Sequence, residues 1–187
     1  MYDTLAEIVA AVRSDINEET EGFWKDKDIK RWIREGQNDV AEKSLCFQKD
    51  YTENNLTGQK FDLPSDFIEE HRVFVDDNIV EHIDKEPKSF GYLIWENKLR
   101  FNFDLNDSEL NLFYYRYPTL MSEDTDSPEL LEPYRYLLGE FAKYKAKIND
   151  RKTEEAKIIY ELYLDGIRDL KKRYGNRPKT TKVKVIR

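Results

Sequence analysis

Cysteine, histidine, glycine and proline are all scarce in this 187-residue chain, and each shortage closes off a class of function. A single cysteine, Cys46, excludes an intramolecular disulfide framework and fits a reducing compartment. The two histidines, His71 and His82, fall on opposite arms of one expected hairpin with no third His or Cys beside them at ligand spacing. They read as paired surface side chains rather than a metal site. Seven glycines and six prolines leave little room for low-complexity linkers. No Gly-rich phosphate loop, nucleophile elbow or Cys–His signature occurs, so no catalytic residue, cofactor or metal is expected. The apolar runs are too short to span a bilayer, and the opening MYDTLAEIVA lacks the basic start of a signal peptide. The expectation is a soluble protein, made inside the cell, with no membrane partner.

What the chain does carry is charge and aromatic mass. Hydrophobic residues make up 39% and aromatics 13%, enough for a real core despite 37% charged residues. The net charge of −7 is unevenly spread. Residues 177–187 hold five of the 31 basic residues and no acid, leaving 26 basic against 38 acidic residues, a net of −12, in residues 1–176. An acidic body repels nucleic acid at short range and argues against a DNA reader.

Apolar spacing predicts a helix over 3–13, with Leu5, Ile8, Val9 and Val12 on one face and Asp3 or Thr4 as cap. A loop over 14–22 leads through Phe23 and Trp24 to a second helix from about Asp26, bearing Ile29, Trp32, Ile33, Val40, Ala41 and Leu45. Gly36 inside it implies a kink or a close helix contact. From residue 51 the period changes. Hairpins are expected at 51–57 with 59–63 around Gly58, at 70–75 with 79–83 around Asp76-Asp77-Asn78, and at 90–95 with 98–103 around Glu96-Asn97. A last strand covers 109–117. The helical period then returns. Pro133 fits the first turn of a third helix to about 148, with Leu137, Leu138, Phe141, Ala142 and Ile148 as its apolar face. A fourth helix runs over about 153–174 and presents Ala156, Ile159, Tyr163, Ile167, Leu170 and Tyr174, with Gly175 as its stop.

The expected fold class is therefore α+β, mainly helical: a four-helix bundle with an inserted small antiparallel β-sheet of hairpins and an extended C-terminal arm. Its segments are 1–50 for helices one and two, 51–127 for the β region with its acidic loop, 128–174 for helices three and four, and 175–187 for the basic arm.

Two features point to interaction rather than chemistry. Strand 109–117 is apolar on both faces: Leu110, Leu112 and Tyr114 point one way, and Phe113, Tyr115 and Tyr117 the other. Either helices and a loop cover the two faces, or the aromatic face meets a neighbouring subunit. In the second case Tyr92, Trp95, Phe113, Tyr115 and Tyr117 are the candidate subunit or tail-protein interface, with Phe101 and Phe103 extending the same stripe. In the tail, Lys182, Val183, Lys184, Val185 and Ile186 alternate basic and apolar residues as a strand with one greasy side would. With Arg177, Lys179 and Arg187 they form a disordered solubilising end or an arm that binds a partner; a third reading, nucleic-acid contact through Arg177, Lys179, Lys182, Lys184 and Arg187, is weaker because the rest of the chain is acidic. The acids Glu123, Asp124 and Asp126 sit in a polar loop where solvation is the default.

The ordered set of features resembles the head–tail adaptor (connector) proteins of tailed bacteriophages. It runs from Trp32-Ile33 through Leu63-Pro64-Ser65-Asp66-Phe67 to Tyr114-Tyr115-Arg116-Tyr117-Pro118. Leu120, the acidic loop 122–126, Pro133-Tyr134 and two amphipathic helices follow. The resemblance implies a virion protein of the head–tail neck, assembled in the bacterial host cytoplasm, that forms a homo-oligomeric ring below the portal protein. That ring is expected to be dodecameric, with ring or monomer both open for the free chain. The resemblance further implies a channel that double-stranded DNA passes without sequence-specific binding, a second neighbour that is the next connector or a tail protein, and a C-terminal arm directed to the portal. It brings no catalytic residues. The rival of a different class is a cellular helical interaction module whose basic tail binds an acidic partner. A hydrolase or nuclease would have to draw on scattered carboxylates.

Overall fold

The computed structural model describes residues 2–18, 20, 22–83 and 90–175, so the basic arm, Gly175 apart, lies outside the described residues. The chain divides into two compact units, one built from 1–46 with 118–187 and one from 47–117.

The first unit holds four helices, α1 (Leu5–Asp15), α2 (Asp26–Ser44), α3 (Tyr136–Asn149) and α4 (Thr153–Gly175), with a 3-10 turn at Glu132–Tyr134. Thr4 caps α1 by accepting from the Glu7 amide, and the Glu7 carboxylate in turn accepts from the Asp3 amide at 2.9 Å. α2 ends where Leu45 turns left-handed at φ 53°. α3 packs against the other three helices. The core of this unit includes Leu5, Ile8, Ile29, Ile33, Leu137, Ala142, Ala156, Tyr163 and Leu170, all essentially sealed from solvent. Gly36 marks a close helix contact: a Cβ there would lie 3.2 Å from the Phe141 side chain of α3. Ile148, expected on the apolar face, is 42% exposed, and Ala146, one turn after the buried Ala142, continues the buried face instead.

The second unit holds five strands, β1 (Gln48–Asp62), β2 (Phe67–Val75), β3 (Asn78–His82), β4 (Gly91–Trp95) and β5 (Lys98–Arg116). β5 is the spine. Along its whole length it pairs antiparallel with β1. Its C-terminal half pairs on the other side with β2, and its N-terminal end with β4. β3 joins β2 antiparallel and β4 in parallel, so β5–β2–β3–β4 closes on itself as a four-stranded mixed barrel with β1 outside it. Two tight turns make this possible: Asp76-Asp77 and Glu96-Asn97 all adopt positive φ, the geometry that matches the twist of a two-residue hairpin.

The expected mainly helical bundle with a small inserted sheet is corrected by this arrangement. The β region is a closed barrel with its own core, from Phe61 and Val73 to Leu110, Leu112 and Tyr114. Its sheet is mixed rather than antiparallel throughout. Two local expectations change as well. Residues 51–62 belong to one strand, β1, not to a hairpin, because Gly58 uses its positive φ of 85° in a bulge rather than in a reversal. Residues 98–103 and 109–116 belong to one 19-residue strand, and Tyr117 lies just past its end. The inward residues of this strand are Leu99, Phe101 and Leu105, then Ser108, Leu110, Leu112 and Tyr114. The parity changes beside Asp107, whose φ of 56° inserts the extra residue that keeps the apolar side inward.

Closure of the barrel depends on a close approach at Gly91, where β4 meets β3. A Cβ there would overlap the Ile83 side chain and sit 2.7 Å from the Glu81 carbonyl. Gly91→Ala is expected to destabilise the protein by about 1–3 kcal/mol, read as a lower urea midpoint. An unchanged midpoint would show that the β3–β4 junction yields freely.

Candidate interaction surface

The alternation of β5 decides which aromatic side chains face outward. Leu110, Leu112 and Tyr114 enter the barrel core, so the face opposite Phe113 packs against the barrel's own strands. Tyr92 is in that core too, 4% exposed. Burial and a hydrogen bond to Glu70 push its hydroxyl well above the usual tyrosine range. Tyr92 is thus separated from the interface residues expected alongside it.

The others stand outside the barrel core. Trp95 is 60% exposed and Phe113 41% exposed. Phe113 meets Phe74 edge-on at 5.6 Å, and Phe74 pairs across the sheet with the exposed Ile79. Tyr115 is half-buried, its hydroxyl 3.4 Å from His71 Nδ1. Tyr117 is half-buried, and its amide donates to the Asp66 carbonyl at 2.8 Å. The structure therefore gathers Phe113, Tyr115 and His71 with Phe74 and Ile79, two residues that sequence reasoning missed. The signal for them existed: Phe74 alternates with Val73 and Val75, so it must face away from whatever they bury. Trp95 shares the outward side of β4 with Leu93, which is 40% exposed. Beside Phe113 a depression of about 220 Å³ is lined by Gln48, Lys49, Asp50, His71 and Tyr114. This is below the ~300 Å³ at which small-molecule sites begin. β1 adds an open edge, since β5 is its only strand partner among the described residues.

Groups that could suggest chemistry are engaged structurally. The Cys46 thiol is pushed up to about 11 by burial, the opposite of an activated nucleophile. His71 and His82 meet different tyrosines edge-on, Tyr115 and Tyr92. Among the described residues no group of three or more His, Cys, Asp or Glu is arranged to hold a metal ion, and no helix is long and apolar enough to cross a membrane. The acidic loop clamps α1: the carbonyls of Asp126 and Asp124 accept from the Leu5 and Ala6 amides at 2.9 and 3.0 Å, and Asp124 pairs with Lys30. These contacts satisfy amide groups that a helix start leaves open. Arg13 holds the next loop through the Thr20 and Trp24 carbonyls and the Asp26 carboxylate.

One strand carrying a core face and a surface face makes a sharp contrast in stability. Leu112→Ala is expected to cost about 2–5 kcal/mol and Phe113→Ala less than about 1 kcal/mol, measured by urea unfolding. Equal costs would place Phe113 in a core. A pH effect follows from Asp66. Burial tends to raise its carboxyl, but hydrogen bonds from Tyr114 (2.8 Å) and Lys49 (3.2 Å) overcome this and hold it below the usual range. A lowered folded-state value contributes stability that is full above the unfolded value of about 3.9. That stability is lost as pH falls through the folded value. Tyr114→Phe should therefore flatten the acid limb of the stability profile below about pH 4, and an acid limb of unchanged slope would remove Asp66 from the explanation.

The sequence matches the family model of the SU10 adaptor protein over residues 3–182. No curated protein matches it. The matched stretch takes in both units and every element described above. The chain belongs to the SU10 adaptor protein family, and its role is that of a phage adaptor, a virion component at the head–tail junction that meets other head and tail components.

Proposed function

We propose that this chain acts by assembly, as a ring of identical subunits, dodecameric in the virion, seated below the portal protein. Through that ring the channel for double-stranded DNA continues toward the next connector or tail protein. The observation that carries the reading is the family match across nearly the whole chain. The physics supports it. Closed cyclic symmetry needs two different complementary patches on each subunit. The outward aromatic side of the barrel, with Phe74, Ile79, Phe113 and Tyr115, supplies one. Trp95 with Leu93 is an apolar strip of the kind the next connector or a tail protein would cover.

The channel role fits the charge. Each basic side chain facing the lumen would exchange counterions with passing phosphates and hold the DNA back. A body with a net charge of −12 over residues 1–176 avoids that, and leaves the duplex without sequence-specific contacts. The basic arm is assigned to the portal: Arg177, Lys179, Lys182, Val183, Lys184, Val185, Ile186 and Arg187 offer cations and a greasy strand side to a groove or sheet edge. Assembly takes place in the host cytoplasm, and the protein is structural rather than catalytic.

Deleting residues 176–187 is expected to leave the melting temperature unchanged and abolish co-sedimentation with purified portal. Normal co-sedimentation by the truncated chain would remove the arm from the contact. Phe113→Ser with Tyr115→Ser should reduce ring formation on the portal while the free chain stays folded. Full rings from a folded double variant would remove this face from the subunit contact.

A further inference from the structure

A ring contact needs a second patch to receive the aromatic side of the barrel, and the opposite end of β5 carries one. Near the C-terminal end of β5, Phe113 and Tyr115 face outward two residues apart, a separation of about 6.6 Å. Directly opposite them, on the same face, stand Asp50 of β1 and Glu69 of β2. Both acids are exposed, and among the described residues no ion pair or hydrogen bond engages either carboxylate. Arg72, on the other side of Phe113, is half-buried and already engaged. This patch is apolar with an acidic border.

Leu93 and Trp95 have the same two-residue spacing on the outward side of β4. The rows they head are cationic. Leu93–Arg100–Lys60 and Trp95–Lys98–Asp62 each run across β4, β5 and β1. Residues 47–117 hold eight basic against 15 acidic residues, yet three of the eight stand in these two rows. Lys98 is paired with the exposed Asp62 at 2.6 Å and Arg100 with the exposed Glu96 at 2.5 Å, surface pairs that contribute little by themselves. Lys60 is exposed, and among the described residues no ion pair or hydrogen bond engages its ammonium. The two patches are alike in apolar spacing, opposite in the sign of their unpaired charge, and share no residue.

We propose that the ring contact joins these two patches: Phe113 and Tyr115 of one copy pack on Leu93 and Trp95 of the next, with Asp50 and Glu69 facing Arg100 and Lys60. The inference rests on the ring reading and goes beyond it by giving the Leu93–Trp95 strip to a second copy of this chain, ahead of any tail-side protein. Because the patches differ, each copy presents one and receives on the other. The contact therefore repeats head to tail, as a closed ring requires and a two-fold dimer does not. Opposite signs fix the register, and like signs penalise a wrong one.

The test is a charge exchange in the full chain, with rings on purified portal counted by electron microscopy. Asp50→Lys/Glu69→Lys and Lys60→Glu/Arg100→Glu should each assemble about tenfold less than the parent chain. An equimolar mixture of the two should recover parent-level rings, since every contact in an alternating ring then pairs opposite signs. Melting temperatures establish that each variant is folded. If Arg100→Glu costs the fold, Lys60→Glu alone, at an exposed position, takes its place against Asp50→Lys. Parent-level rings from either folded variant by itself would overturn the proposal and leave the Leu93–Trp95 strip to a tail-side protein. Two folded variants whose mixture recovers no rings would overturn it too. Rings absent from the parent chain as well would defeat the ring reading itself, and this contact with it.

Discussion

The barrel depends on a single strand serving three partners. β5 carries β1 along one side and divides the other between β2 and β4, and closure follows only because β3 bridges those two. A strand of 19 residues that kept a strict two-residue alternation would turn its apolar side outward wherever it bent. The extra residue at Asp107, with its left-handed backbone, resets the alternation and lets one greasy side follow the curve. The bulges in β1 around Asn55 and Gly58 do the same for the outer strand. Every inward side chain of the barrel inherits its position from these irregularities.

Once the inward side is set, the outward side becomes a question of what else can cover it. A closed barrel has no second layer of its own outside the ring. Phe74, Ile79 and Phe113 therefore stay accessible among the described residues of that unit, although each is the kind of residue that burial favours. In a family of adaptors, whose members meet other components of the particle, such a surface needs no chemistry. Its value lies in complementarity and in the water it releases on contact.

Charge is used in two ways in the helical unit. Arg13, Lys30, Asp124 and Asp126 are committed to fixing loops, where they satisfy carbonyls and open amides at the start of α1. The acids along the outer side of α4 fix no loop.

Much of the local structure could be read from residue order. The helix faces, the Asp76-Asp77 and Glu96-Asn97 reversals and the adaptor likeness of the segment from Leu63 to Pro118 rest on periodicity, turn chemistry and short motifs, all of them local. Gly58 shows where that stops: the same left-handed glycine serves a hairpin or a bulge, and only the presence of β5 alongside selects the bulge. Tyr92 and Phe113 were equal candidates by composition, yet one is sealed and the other open, because closure of the ring chooses an inside. Side-chain chemistry along the chain specified which residues could pair or bury. Which of them actually did so was decided by contacts between strands far apart in sequence, since burial is a property of the assembled core.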